Sequence, residues 1–293
     1  MAGALFRFTT TVSPSRRPSS SAPMMVNTSS SQSYRTTADA AIEIHLKQAI
    51  LIRHPLPVYE PMHHLIFAAP RTAAPALCIA ACELVGCHRD QAIAAASAIH
   101  LMHAASYTHE HMQLTHRPDR KPAMIHHKYG PNIELLISDG IVPFAMELLT
   151  QSDDPIRNNS ERILRVIVEI TRAFGSQGVV EGQYYELQQS ALNDGGSSQR
   201  ERNERAVEKK EGRLHACGAA CGAIIGGGSE LEVEKLRRYG FNVGKIIKIL
   251  SEYEGEKDER FVKIVEEMRN LGLEELKGFE EEKIEAIRSF VNP

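Results

Sequence analysis

The sequence predicts an all-α fold, a single domain of stacked long helices, on three observations. Apolar residues recur at helical spacing in segment after segment from about Thr37 onward. Sustained period-two alternation, the mark of a half-buried strand, is missing. The segments are bounded by Pro, Gly, Ser and Asp at positions where helices start and stop.

The first helix is expected over Ala38 to Ile52, with Ile42, Leu46, Ala49 and Ile50 on one side, stopping before Pro55 and Pro57. Thr72 to Val85 opens with a Thr cap and an early Pro75 and closes at Gly86. An Ala-rich helix runs from an Asp90 cap to about His111. Asn132 to Leu149 contains Pro143, which predicts a kink or a split. In Ser160 to Phe174, Ile163, Val166, Ile167 and Ile170 make one stripe. Arg205 to Gly226 and Glu230 to Tyr253 follow, then two shorter helices near the C-terminus. Gln151–Asn159 and Gly175–Asn203 read as irregular, the second a surface loop around Asn193-Asp194-Gly195-Gly196.

Composition narrows the function. The chain has 293 residues, 42% of them hydrophobic, enough for one large core. A net charge of −3, no Trp and 6% aromatics give neither the basic face nor the stacking platforms that nucleic acid requires. No stretch approaches the ~20 apolar residues of a membrane span. The five cysteines are odd in number and sit in apolar helical context, unlike a secreted disulfide framework. Before Asp39 there is no acidic residue, while Ser, Thr and four arginines (Arg7, Arg16, Arg17, Arg35) abound. Residues 1–37 therefore read as a plastid transit peptide or a disordered tail, and 38–293 as the folded domain.

Several landmarks occur in one order: Leu77-Cys78-Ile79-Ala80-Ala81-Cys82-Glu83-Leu84-Val85-Gly86, Lys121-Pro122, Ser138-Asp139-Gly140, Gly182-Gln183, and Gly222 through Glu230. Together they resemble the plant geranylgeranyl diphosphate synthases over about Ala38 to Val291. The resemblance implies the isoprenoid synthase fold. In that family two aspartate-rich motifs face each other and hold magnesium ions on an allylic diphosphate; magnesium is a hard ion that takes oxygen ligands in octahedral geometry.

The chain departs from that pattern where the chemistry lies. The first aspartate motif corresponds to Glu110, His111 and His116, and imidazole is a poor magnesium ligand. The second corresponds to Ser251, Glu252 and Gly255, with Lys248 opposing a second cation nearby. Of the family's basic motif only Arg71 keeps a charge; His103 falls at a structural histidine of the family, and Lys210 keeps the lysine of a Lys-Thr pair in which Glu211 replaces the threonine. The resemblance therefore implies no catalytic residue, no metal and no cofactor in this chain, with Mg²⁺ in a partner.

Cys78 and Cys82 form one Cys-x-x-x-Cys pair and Cys217 and Cys221 another, each on one helix face among small neighbours. On residues alone they are either packed core thiols or a close-contact surface, with a four-cysteine zinc site as a further alternative. The resemblance points to the small subunits of heteromeric geranyl diphosphate synthases, in which such pairs engage a large subunit. It implies a regulatory chain that binds a geranylgeranyl diphosphate synthase-type large subunit, as heterodimer or heterotetramer, in the chloroplast stroma and shifts its product toward geranyl diphosphate (C10) for monoterpene biosynthesis. The alternatives are a small subunit that enhances geranylgeranyl diphosphate (C20) output, and a divergent prenyltransferase active on its own.

Overall fold

The structure is a computed structural model that describes residues 28–112, 128–191, 197–252 and 259–292. His116 and Gly255 lie outside the described residues, as do Lys121-Pro122 and Asn193-Asp194-Gly195-Gly196. The described residues are helical throughout, without strands. The chain runs α1 (Thr28–Ala49), α2 (Leu56–Ala68), α3 (Ala74–Leu84), α4 (Ile93–His111), α5 (Pro131–Thr150), α6 (Ser160–Phe174), α7 (Val179–Ala191), α8 (Ser197–Val207), α9 (Arg213–Gly226), α10 (Glu230–Glu252), α11 (Glu259–Glu275) and α12 (Glu281–Arg288). A one-turn π-helix, Glu208–Gly212, joins α8 to α9.

The core is set by two helices that are apolar on every side, and such helices must be enclosed. In α3 ten residues from Ala74 to Leu84 are buried, and in α9 every residue from Leu214 to Ile225 is. They cross at backbone distance because α9 carries Gly218 and Gly222 on the side facing α3. A Cβ at Gly222 would lie 1.9 Å from the Cys78 carbonyl oxygen, and one at Gly218 would lie 2.3 Å from that of Ala74. On its other side α9 meets α10, where Gly240 and Gly244 allow the same approach to the His215 and Glu211 carbonyls. α9 is thus clamped between α3 and α10, and α4 completes the wall beside α3.

The structure differs from the sequence reading at several places. α1 begins at Thr28, ahead of the boundary expected at residue 37, and it is anchored. The Tyr34 hydroxyl donates to Glu83, and its ring meets Phe290 edge-on with centroids 6.3 Å apart. α2 occupies the Pro-rich stretch read as a helix stop. Pro57 stands in its first turn, where the N–H has no helical partner to lose. Thr72 does not cap α3, and Asp90 lies in a 3-10 turn (Arg89–Gln91) ahead of α4 rather than at its cap. α5 continues through Pro143 unsplit. The stretch Gly175–Asn203 holds most of two helices, α7 and α8, instead of a loop.

Candidate functional site

The site is built where α4, α7 and the π-helix converge. Positions 100, 103, 107 and 110 of α4 share one face, since residues three or four apart on a helix are neighbours. α7 brings Gln183 and Glu186 alongside. The π-helix widens the backbone spiral by one residue and so sets Lys210 toward both. The Lys210 ammonium donates to Glu110 Oε1 at 2.8 Å and to both Glu186 oxygens at 3.0 Å, and Gln183 Nε2 reaches Glu110 Oε2 at 3.4 Å. Lys210 and Glu110 are only 15% and 17% exposed. Burial disfavours the lysine charge, but the Glu110 and Glu186 carboxylates outweigh it and hold its pKa above the ordinary value.

Other charges at the expected positions are paired in the same way. Glu252 meets Lys248 at 3.2 Å across one turn of α10, and the Ser251 hydroxyl donates to the Lys248 carbonyl at 2.8 Å. Arg71 meets Glu43 of α1 at 2.8 Å; Glu43 also binds Lys47, which together with Arg71 holds its carboxyl below the usual range. His111 stacks on Tyr107, ring centroids 3.9 Å apart, with Nδ1 2.9 Å from the Tyr107 carbonyl.

The histidines beneath this layer are neutral. Burial, reinforced by His100 and His215, pushes the His103 pKa down to about 3. Burial brings His100 to about 4, its Nε2 lying 3.0 Å from the Ile66 carbonyl. His215 is likewise lowered by burial, with Nδ1 2.8 Å from the Glu211 carbonyl.

These residues do not fit a magnesium cluster. A hexacoordinate hard ion needs several free carboxylate oxygens. Glu110 and Glu252 each already serve a lysine, His111 offers nitrogen, and Ser251 is turned to a backbone carbonyl. Among the described residues no group of three or more His, Cys, Asp or Glu is placed to hold a metal.

The four paired cysteines lie elsewhere, inside the α3–α9 contact. Cys78, Cys82, Cys217 and Cys221 are free and buried, and Cys217 Sγ lies 3.7 Å from Cys221 Sγ. Burial raises the pKa values of Cys78, Cys82 and Cys221. Within this chain the four thiols are enclosed in the fold. The α3 backbone at Cys78 and Cys82 rests on Gly222 and Gly226 of α9.

Comparison with known proteins places this geometry. Residues 56–253 match the family described as polyprenyl synthetase. The chain belongs to the polyprenyl synthetase family. A small subunit 2 of heterodimeric geranylgeranyl pyrophosphate synthase from Cannabis sativa, named as chloroplastic, is 50% identical over 264 residues, 88% of this chain and 90% of that one. The crystal structure of the geranyl diphosphate synthase small subunit from Antirrhinum majus superposes with a TM-score of 0.80 at 52% identity, covering 92% of this chain and all of that one. A chain of the mint heterotetrameric geranyl pyrophosphate synthase gives 0.77 at 46% identity, covering 89% and 99%.

Within this polyprenyl synthetase scaffold, Glu110 and Lys210 are the residues the structure brings together. Arg71 and Glu252 are held in separate ion pairs, and His103 is packed below. Glu186 and Glu43, which neutralise Lys210 and Arg71, were not singled out in the sequence. Their partners lie 24 and 28 positions away, and no local pattern marks them.

Proposed function

We propose that this chain is a non-catalytic regulatory small subunit: it binds a geranylgeranyl diphosphate synthase-type large subunit in the plastid and shifts that enzyme's product toward geranyl diphosphate. The observation that carries this reading is the internal pairing of the charges at the site. Lys210 with Glu110 and Glu186, Lys248 with Glu252, and Arg71 with Glu43 leave these positions, among the described residues, without a set of carboxylates for magnesium or of cations for diphosphate. Prenyl transfer requires both, because the leaving pyrophosphate must be neutralised as the allylic cation forms. The chemistry, with its Mg²⁺, then belongs to the large subunit. Docking alters how long that subunit retains the growing chain, since release competes with elongation.

Likeness to the Antirrhinum geranyl diphosphate synthase small subunit and to the mint heterotetramer supports the C10 outcome. A second reading is favoured by the Cannabis relative, named for a heterodimeric geranylgeranyl pyrophosphate synthase: a small subunit that raises C20 output. Chromatography of the products made from dimethylallyl and isopentenyl diphosphates by a plastid large subunit, with and without this chain, separates the two. A rise in C10 relative to C20 supports the first reading, and a rise in total C20 the second. An unchanged profile refutes both. Robust turnover by this chain alone would mean a divergent prenyltransferase instead.

A further inference from the structure

We infer that Cys82 and Cys87 form a redox-active dithiol, a site of thiol–disulfide exchange at the C-terminal end of α3. Cys87 lies outside both Cys-x-x-x-Cys pairs and has no part in the function proposed above. The pairing follows from how α3 stops. Gly86 adopts φ +92°, its N–H donates to the Glu83 carbonyl at 3.0 Å, and the next N–H, that of Cys87, reaches back to the Cys82 carbonyl at 3.1 Å. These bonds make a Schellman cap. In such a cap the residue after the glycine folds over the last helical turn, and its side chain meets that of the residue its N–H binds. That contact is usually between two apolar side chains; here both partners are cysteine. The bond from the Cys87 N–H to the Cys82 carbonyl therefore sets the two side chains against each other.

The two thiols differ in access, and the difference assigns their roles. Cys87 is half-buried and can meet a reagent from solvent, whereas Cys82 is buried, with its Sγ 3.8 Å from the His88 carbonyl oxygen. Cys217 and Cys221 also lie close, but both are buried. Exchange therefore begins at Cys87. Its thiolate attacks one sulfur of a small-molecule disulfide such as glutathione disulfide, the S–S bond breaks, and one glutathione thiolate leaves and takes up a proton. Cys82 then gives up its proton and attacks the Cys87 sulfur, and the second glutathione leaves as its thiol. The balance is two protein thiols oxidised to one disulfide and one glutathione disulfide reduced to two thiols. The product staples the cap of α3, the helix against which α9 is packed.

The test equilibrates the full chain with glutathione redox buffers of increasing oxidised fraction, then quenches with acid, alkylates under denaturing conditions and reads intact and fragment masses. The wild type should lose two hydrogens, keep three alkylatable thiols of its five, and yield a fragment closed between Cys82 and Cys87. Cys87→Ser, at a half-buried position, should stay fully reduced over the same range with an unchanged melting temperature. Cys82→Ala should stop at a stable glutathione adduct on Cys87. On the reduced wild type, phenylarsine oxide should protect two thiols together, and on Cys87→Ser none. The inference is overturned by a wild type that stops at the glutathione adduct or never reacts, or by a disulfide that still forms in Cys87→Ser.

Discussion

Lys210→Met tests whether the site is held by its own charges. The substitution keeps the length of the stem and removes the ammonium, leaving Glu110 and Glu186 facing each other without their shared cation. At charge separations near 4 Å and an effective dielectric of ~20, each attraction is roughly 4 kcal/mol in gross terms. Most of that is offset by the desolvation of the three groups. Removing one partner of a fully buried pair costs about 3–5 kcal/mol. Lys210 and Glu110 retain 15% and 17% exposure and Glu186 about a third, so solvent screening lowers the expected loss to about 2–3 kcal/mol. For a domain of this size that is ~5–10 °C in melting temperature. The assay is urea unfolding followed by circular dichroism, on wild type, Lys210→Met and the triple variant Glu110→Gln/Glu186→Gln/Lys210→Met. The triple variant removes the stranded carboxylates and should recover to within about 1 kcal/mol of wild type, the non-additivity expected of one network. If Lys210→Met unfolds within ~0.5 kcal/mol of wild type, the pairing is not holding the site. If it gains magnesium binding by calorimetry, the lysine alone was keeping the metal out.

Further outcomes follow from the same geometry. Gly222→Ala places a methyl group 1.9 Å from the Cys78 carbonyl oxygen, against backbone that cannot rotate away. It should cost upward of ~3 kcal/mol in unfolding free energy, with loss of large-subunit co-purification, because it forces α3 and α9 apart. Leu136 on α5 and Leu164 on α6 are 64% and 61% exposed. Leu136→Glu/Leu164→Glu should leave stability within ~0.5 kcal/mol per site and weaken large-subunit binding at least tenfold by surface plasmon resonance. His103 sets an acid limit. Unfolded, it takes up a proton below about pH 6.5, while folded it stays neutral down to about pH 3. The unfolded state therefore binds the extra proton between these values, and stability falls as pH drops through the window by ~1.4 kcal/mol per unit for this one group. His103→Gln should flatten the slope by that amount in denaturation series from pH 7 to 4.

The parts of the fold legible from sequence are those whose burial is written in local spacing. α6 shows Ile163, Val166 and Ile170 at helical intervals and was placed at its observed ends. α2 is hidden because Pro55 and Pro57 read as breakers, although a proline in the first turn loses no hydrogen bond. α8, Ser197–Val207, is almost wholly polar, so hydrophobic periodicity could not reveal it; it is built against α7 and the π-helix instead. For α7 a signal was available, since Val180, Tyr184 and Leu187 recur at helical spacing, but the glycines on either side masked it. At the site, the loss of aspartates was visible as plain residue identity. What became of the remaining charges was not, because Glu110 finds its partner 100 positions later and through a π-helix that no pattern announces.

This chain either lends ligands to chemistry or only its shape to a partner. The most direct measurement is the C10 to C20 product ratio of a plastid geranylgeranyl diphosphate synthase large subunit, titrated with wild-type chain and with the Glu110→Gln/Glu252→Gln variant. The ratio should rise equally with both, because neither carboxylate serves a metal. A ratio that wild type leaves unmoved, or that responds to wild type and not to the variant, contradicts the account.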